Sequence, residues 1–206
     1  MMTPNLALDM LDDLVEAFQD KHLFKFVHLP VQSGSDRVLK RMNRQYTANQ
    51  FRSIVKAFRE SIPEMTIATD VICGFPGETI DDFEESLNLI EQIKPDVVNI
   101  SKFFARPRTT AEKMNLKVPN AEVSDRSRKM TSLAKRISLE KNRAWLNWKG
   151  HLLVDEHGKL PDTFIGRNFA YKPIVVRSEN KFLLGTFVDV RVTKAFQTYL
   201  EAEIVD

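Results

Sequence analysis

One stretch, residues 67–79, restricts the possible folds more than any other part of this sequence. It begins with an apolar run rich in β-branched residues, Ile67–Cys73, which is typical of a strand buried on both faces. A tight turn, Gly74–Gly77, follows it, and Thr79 is a good N-cap for the next helix. In parallel α/β folds, ligands bind at the carboxyl end of such strands. The stretch therefore predicts a βα unit with a binding site, although an ordinary strand-to-helix turn has the same pattern.

The flanking residues continue this alternation of strands and helices. Three strand–helix units indicate a parallel sheet, and right-handed crossovers would place the loops that follow the strands on one rim. Apolar spacing predicts, besides this unit, helix 4–20, strand Phe24–Val31, helix 36–42, helix Thr47–Ser61 and strand Val97–Phe104.

The pattern changes near residue 150. Residues 121–148 predict one long basic helix, and short β-type runs separated by turn residues follow it. These runs are His151–Val154, Thr163–Arg167, Lys172–Val176, Leu184–Thr193 and Tyr199–Val205. So many short strands in so few residues predict a small closed barrel. We expect an α/β partial (βα) barrel with parallel strands over 1–148, then a small all-β, OB-like barrel over 149–206.

Charge and cysteine usage narrow the functional classes. Residues 1–101 carry 10 Lys and Arg against 16 Asp and Glu, whereas the remaining residues carry 20 against 12. The basic second half predicts a nucleic-acid partner, the alternative being an unevenly charged, solvated surface. A single cysteine excludes an internal disulfide and an iron–sulfur cluster held by this chain alone. The sequence has neither a signal peptide nor an apolar run long enough to span a bilayer, so we expect a cytoplasmic protein without a membrane partner.

The three loops at the predicted rim suggest what could bind there. Gln32 and Ser33, Asp70 with its glycine turn, and Ser101–Arg106 together offer neutral hydrogen-bonding groups, one carboxylate and one guanidinium. These groups suit a ribose, an adenine edge and a carboxylate. We expect no histidine or second carboxylate beside Asp70, which argues against acid–base hydrolysis. His28 is predicted to be a core histidine, and Cys73 a small core residue.

Longer motifs resemble one enzyme family, the radical S-adenosylmethionine methylthiotransferases. Three of them follow the family's order of barrel strands: His28–Asp36 with Met42–Arg44 and Tyr46-Thr47, then Thr69–Thr79, then Phe103–Ala111. The tail is similar to the family's RNA-binding TRAM domain in Gly166–Asn168, Tyr171–Pro173, Gly185–Val190, Lys194 and Thr198–Leu200. The resemblance covers nearly the whole chain. It departs at Arg108, where the family often has glycine.

This resemblance implies a cofactor site. Gln32 and Ser33 would contact the ribose side of S-adenosylmethionine, and Arg44 would pair with its carboxylate. Asp70 and the backbone near Ile72, Gly74 and Phe103 would frame ribose and adenine. Family members cleave the cofactor with a cysteine-bound [4Fe–4S] cluster and carry a second cluster on an N-terminal domain. The cysteines and that domain are absent here, so the resemblance is to the C-terminal half of such an enzyme, and clusters belong only to a full-length enzyme.

The resemblance also implies a substrate. The family adds a methylthio group to C2 of a modified adenosine beside the tRNA anticodon. The motif Phe103–Pro107 and the basic tail look most like the archaeal and eukaryotic branch of the family. That branch acts on N6-threonylcarbamoyladenosine. The missing N-terminal half would be a further partner, and the chain alone should be inactive, without catalytic or metal-binding residues.

The basic second half supplies the candidate RNA contacts. Cations beside aromatic rings suit a single-stranded loop, because they offer charge for phosphates and flat faces for bases. The candidates are Lys141, Arg143, Arg167, Tyr171, Lys172, Arg191 and Lys194, with Arg126, Arg128, Lys129, Lys135, Arg136, Lys149 and Phe169 nearby. Two alternatives remain at this stage: a stand-alone RNA-binding module without catalysis, and a fragment of an unrelated TIM-barrel hydrolase.

Overall fold

A computed structural model describes residues 2–105, 107–179 and 183–205. Its helices are α1 Pro4–Asp9, α2 Leu11–Ala17, α3 Asp36–Arg41, α4 Ala48–Ser61, α5 Ile80–Ile93 and α6 Asn120–Arg143, with a 3-10 turn at Thr110–Lys113. Its strands are β1 Phe26–His28, β2 Thr66–Cys73, β3 Val97–Lys102, β4 Lys149–His157, β5 Thr163–Arg167, β6 Pro173–Arg177, β7 Phe187–Ala195 and β8 Leu200–Ile204.

The first sheet is a parallel arrangement of β1, β2 and β3, with β2 in the centre. One face carries the apolar side chains of Val27, Ile67, Val71, Val98 and Ile100 and is covered by helices, forming the larger core. Alternation places the residues between them on the opposite face, which is half-buried in β1 and largely exposed in β3. Among the described residues, no strand pairs with the outer edge of β3. The sheet is therefore a part of a barrel whose inner face lies open.

The second unit is a closed barrel in the order β4-β5-β6-β8-β7 with its own apolar core. It lies against the amino-terminal end of the parallel strands. The backbone N–H of Lys25, just before β1, donates to Phe169 O at 2.8 Å, and Tyr171 packs its ring on Phe24 and Phe26. On α6, Asn142 Nδ2 donates to Phe196 O at 2.8 Å. These contacts join the two units at the end of the sheet opposite to the glycine turn.

The predicted fold class, a partial (βα) barrel followed by a small all-β barrel, is confirmed. Several boundaries differ from the predicted ones. Helix 4–20 is two helices that meet at Met10, and the long helix ends at Arg143 rather than at residue 148. Strands predicted to run to Val31 and Phe104 end at His28 and Lys102. No helix among the described residues is long and apolar enough to cross a membrane.

Candidate cofactor and nucleic-acid sites

The glycine turn after β2 is held by a buried ion pair. Gly74 and Gly77 have positive φ, of 82° and 80°, which glycine adopts without strain. Glu78 Oε2 accepts the Gly74 N–H at 2.7 Å and lies 2.7 Å from Arg126 Nη1 of α6. Burial raises the pKa of Glu78, although Arg126 and the Gly74 N–H act in the opposite direction. Arg126 is itself buried, so its predicted place among RNA-binding cations is wrong.

A second polar network joins the loop after β1 to the same turn. Asp82, on the first turn of α5, accepts hydrogen bonds from Ser35 Oγ, from Arg37 and from both the N–H and hydroxyl of Thr79. Thr79 in return accepts the Asp82 N–H, which completes a capping box. Burial would raise the pKa of Asp82, but the hydrogen bonds outweigh it and hold the pKa well below its usual value. The network fixes the loop after β1 relative to the glycine turn.

The open face of the sheet carries a polar cluster at its centre. His28 Nε2 lies 2.7 Å from Asp70 Oδ1, and Asn99 Nδ2 donates to the same oxygen at 2.8 Å. His28 and Asp70 are each about a quarter exposed. Two predictions are therefore wrong: His28 is not a core histidine, and Asp70 does have a histidine partner. The missed signal is strand alternation, which places all three side chains on one face.

The predicted cofactor residues meet around the carboxyl end of β2. On one side, Gln32 continues the pairing with β2, because its N–H donates to Asp70 O and its C=O accepts the Ile72 N–H. On the other side, the Phe103 N–H donates to Cys73 O. The Phe103 ring contacts that of Phe75 edge to face, with a centroid separation of 5.2 Å. The structure thus brings Gln32, Asp70, Gly74 and Phe103 to one rim.

Two other predicted cofactor residues have contrasting environments. Ser33 is fully buried and its hydroxyl lies 3.2 Å from that of Ser86, so the structure does not present it to a ribose. Arg44 is half-buried, and its Nε has no hydrogen-bond partner among the described residues. Burial raises the pKa of Tyr46 to about 12, and the charge of Arg44 opposes this shift. A buried guanidinium donor without a partner among the described residues suits a carboxylate ligand.

Cys73 does not fit an iron–sulfur cluster. The residue is fully buried in the larger core, which confirms the prediction that it is a small core residue. Burial raises the pKa of its thiol to about 12, whereas a cluster ligand must be a thiolate. Among the described residues, no group of three or more cysteine, histidine, aspartate and glutamate side chains could hold a metal.

The outer face of the small barrel forms an open groove of about 940 Å³. Its cationic lining consists of Lys159, Arg167, Arg177 and Lys194, and Tyr199 adds an aromatic ring. Arg167 is only 17% exposed, and its Nη2 lies 2.9 Å from Glu156 Oε1 while the guanidinium stacks over Tyr171. Arg167 and Tyr171 therefore lie at the edge of the groove next to the junction between the two units. Sequence reasoning missed Arg177 and Tyr199. Strand pairing sets Arg177 opposite Thr163, at the other end of the β5–β6 ladder from Arg167.

Lys172 is the clearest correction among the predicted RNA contacts. Its side chain is 6% exposed, and its Nζ lies 2.7 Å from Asp96 Oδ1 and 3.2 Å from Asn142 Oδ1. A buried, paired ammonium cannot meet a phosphate without breaking the junction. Lys172 is therefore part of the junction between the two units and not of an RNA surface.

The other predicted RNA contacts differ in how accessible they are. Arg191 and Lys194 are exposed but pair with Glu203 and Glu201, each at 3.1 Å. Lys141 is half-buried, and burial together with the nearby charge of Arg59 lowers its pKa. Arg143 is exposed at the end of α6. Arg106, part of the predicted rim, lies outside the described residues.

Comparisons with known proteins give the same two units. Residues 1–90 match the Radical SAM superfamily, and residues 151–205 match the TRAM domain. The fold is similar to that of coproporphyrinogen III oxidase from Escherichia coli, a radical SAM enzyme, with a TM-score of 0.55 over 94% of this chain and 45% of that one, at 18% identity. That likeness concerns the fold alone.

Curated relatives are similar over the whole chain. A probable threonylcarbamoyladenosine tRNA methylthiotransferase of Pyrococcus horikoshii is 41% identical over 205 residues, which cover 100% of this chain and 47% of the relative. The threonylcarbamoyladenosine tRNA methylthiotransferase of Drosophila melanogaster is 36% identical over 206 residues, covering 100% of this chain and 37% of the relative. A tRNA-2-methylthio-N(6)-dimethylallyladenosine synthase of Caldicellulosiruptor saccharolyticus is 33% identical over 198 residues, 96% of this chain and 42% of the relative. The chain spans about half the length of the curated relatives it matches.

Proposed function

We propose that this chain, which has the radical SAM and TRAM domains and matches the C-terminal half of threonylcarbamoyladenosine tRNA methylthiotransferases, supplies the cofactor-binding rim and the tRNA-binding part of such an enzyme. The reaction would replace the hydrogen at C2 of N6-threonylcarbamoyladenosine with a methylthio group. The chain would divide into a barrel part, 1–148, and a TRAM part, 149–206. A tRNA substrate supports the expectation of a cytoplasmic enzyme.

The open inner face of the sheet is the observation that carries this proposal. His28, Asp70 and Asn99 form a polar cluster there, and the outer edge of β3 has no strand partner among the described residues. Three strands cannot close a barrel by themselves, and the proposal completes it with further strands. The half of the relatives that this chain does not match is the proposed source of those strands and of the cluster cysteines.

The rim residues have a binding role in this proposal. Arg44 would pair with the carboxylate of S-adenosylmethionine, and Gln32 with Asp70 would meet its ribose. The Gly74 turn, which has positive φ and packs against Val123 of α6, would lie beside the adenine. When reduced by a cluster, S-adenosylmethionine supplies a 5′-deoxyadenosyl radical. One buried cysteine cannot hold such a cluster, and the part proposed for this chain's own residues is to bind and orient the cofactor.

The RNA-binding role rests on the small barrel. Its outer groove combines cations with Tyr199, which suits phosphates and unstacked bases, although Glu201 and Glu203 also line it. The threonylcarbamoyl group is proposed as the substrate feature because the relatives of that name are more similar to this chain than the dimethylallyl relative is. A stand-alone RNA-binding module would share the groove but would not need the rim.

Cofactor binding by a completed barrel distinguishes these two functions. The unmatched N-terminal half of the Pyrococcus horikoshii relative is fused ahead of this chain, loaded with clusters without oxygen, and titrated with S-adenosylmethionine in a calorimeter. We expect binding about a hundredfold tighter than by the chain alone, because one anchoring interaction is worth a few kcal/mol. Asp70→Asn in the fusion should weaken it. A cluster-loaded fusion that binds no more tightly than the chain alone would favour the RNA-binding module.

A further inference from the structure

Helix α6 connects the two surfaces that the proposed function assigns. At its N-terminal end, Val123 packs directly against Gly74, where an added Cβ would lie 2.4 Å from Val123 Cγ2. At its C-terminal end, Asn142 donates to Phe196 O of the small barrel. At 1.5 Å per residue, these two contacts are about 28 Å apart along the helix. Helix α6 therefore offers one route for an RNA that touches both the small barrel and the rim.

One side of α6 is polar over this whole distance. Ser124, Ser127, Thr131, Lys135, Ser138 and Asn142 recur at intervals of three or four residues and so share one helical face. The small barrel covers the C-terminal end of this face, where Ser138 Oγ donates to Gln197 O at 2.6 Å. The N-terminal end is uncovered and, together with β3, lines a groove of about 540 Å³.

This groove, which we name the α6 groove, is lined by cations and hydroxyls without an apolar side chain. Its members include Lys102, Arg128, Lys135, Ser124, Ser127 and Thr131. Lys102 Nζ donates to Ser124 Oγ at 3.1 Å, and neither Lys102 nor Lys135 forms an ion pair with any residue that the structure describes. Arg128 is 77% exposed, with a long contact of 3.5 Å to Asp125. Unpaired cations beside hydroxyl donors fit phosphate oxygens, whereas a protein partner would need apolar contacts at its centre.

The α6 groove also runs into the other cavities. Thr131 and Lys135 line it and line a second cavity of about 430 Å³ at the junction between the two units. Arg167, Pro173 and Thr198 in turn line both the junction cavity and the outer groove of the small barrel. Neighbouring cavities thus share lining residues all the way from the small barrel to Lys102 at the end of β3.

We propose that the α6 groove binds the sugar–phosphate backbone of tRNA between the small barrel and the rim. This inference rests on the proposed function, because it takes tRNA as the ligand. Lys102, Arg128 and Lys135 contact phosphates, and the hydroxyls of α6 donate to phosphate or ribose oxygens. The contact carries no base specificity; it sets the register in which the modified nucleoside reaches the rim.

The same helix offers a matched control for the test. Arg128 and Lys135 are seven residues apart, and so are Lys129 and Arg136, about 100° further around the helix. Neither member of the second pair lines the groove, and Arg136 pairs instead with Glu91 of α5. Two double variants are therefore matched: Arg128→Gln/Lys135→Gln and Lys129→Gln/Arg136→Gln. Each removes one arginine and one lysine, seven residues apart, from the same helix.

Filter binding of an unmodified tRNA transcript over a salt series separates the outcomes. The groove variant should bind about tenfold more weakly near 50 mM salt, and its salt slope should fall by about 1.4 to 1.8 if each cation meets one phosphate. The control variant should keep the slope. An equal loss in both variants, or no loss in the groove variant, overturns the inference. If the unchanged chain shows no salt-dependent binding of tRNA, both this inference and the proposed function are overturned.

Lysine acetylation of the unchanged chain, with and without the transcript, provides a readout that does not depend on any variant. Bound tRNA should protect Lys102 and Lys135 from the reagent, whereas Lys129 should react equally in both samples. Protection of Lys129 to the same extent as Lys135 overturns the inference, because it would mean that RNA covers the helix without preference for the groove.

Discussion

Arg126 Nη1 of α6 donates at 2.7 Å to Glu78 Oε2, the carboxylate oxygen that also accepts the Gly74 N–H. The same nitrogen donates to Glu78 O at 3.1 Å, so one guanidinium fixes both the side chain and the backbone after the glycine turn. The geometry of the rim therefore depends on a helix that begins more than forty residues later in the chain. Both charges are buried, at 5% and 1% side-chain exposure.

Removing one member of this pair should strongly destabilise the protein. In Arg126→Met the Glu78 carboxylate stays buried without its partner, and we expect the free energy of unfolding to fall by about 3–5 kcal/mol. Arg128→Met, which removes an exposed arginine two residues along the helix, should change it by less than about 1 kcal/mol. Urea unfolding of both variants checks this, and equal small losses would show that the ion pair does not hold the turn.

Asp82 should make stability depend on pH in acid solution. Its pKa is lowered in the folded chain, so the folded state binds fewer protons there than the unfolded state does. The stabilisation is present above the unfolded value, about 4, and is lost as the pH falls below it. The stability difference between the unchanged chain and Asp82→Asn should therefore shrink below that pH. Asp81→Asn, on the same helical turn but exposed, serves as the control, and a difference that stays constant down to low pH would contradict the assignment.

Lys172 should matter for the junction and not for RNA affinity. Its ammonium is buried against Asp96, so Lys172→Met should lower the free energy of unfolding by about 3–5 kcal/mol. The control Lys194→Met removes an exposed lysine paired with Glu201 and should cost less than about 1 kcal/mol. The salt slope of tRNA binding by folded Lys172→Met should equal that of the unchanged chain. A slope smaller by nearly one unit would place Lys172 on a phosphate after all.

The chain on its own should not assemble a stoichiometric iron–sulfur cluster. It has one cysteine, which is buried and has a raised pKa, whereas these clusters take several thiolates. Anaerobic reconstitution with iron and sulfide, followed by absorption spectroscopy, should give the same result for the chain and for Cys73→Ala. One cluster per chain, lost in Cys73→Ala, would contradict this account.

Local sequence signals predicted the centre of the fold well. Thr79 and Asp82 form the capping box that begins α5, and Thr47 with Gln50 does the same for α4, so these helices start where their side chains dictate. The strand at Ile67–Cys73 is the central one because its residues are apolar and β-branched. The small barrel was predictable from the density of short strands, even though β7 begins at Phe187 rather than at Leu184.

Long-range pairing was not predictable in the same way. Lys172 looks like a surface cation, and only the approach of Asp96, 76 residues earlier in the chain, makes it a buried one. His28 meets Asp70 because the parallel register sets His28 beside Ala68, two residues before Asp70 on the same face. Strand alternation shows on which face of a sheet a side chain lies. It does not show which residue of the next strand lies beside it, so these partners could not be identified from the sequence.

The most direct test of the proposed function is the product formed by the fusion with the N-terminal half of the Pyrococcus horikoshii relative. Cluster-loaded fusion, S-adenosylmethionine, a sulfur source and a reductant are incubated without oxygen with tRNA that carries N6-threonylcarbamoyladenosine, and the digested nucleosides are analysed by mass spectrometry. The account predicts a nucleoside in which one methylthio group replaces hydrogen on the base, and its loss in the Asp70→Ala fusion. A fusion that cleaves S-adenosylmethionine and binds the tRNA, yet leaves this nucleoside unchanged, would contradict it.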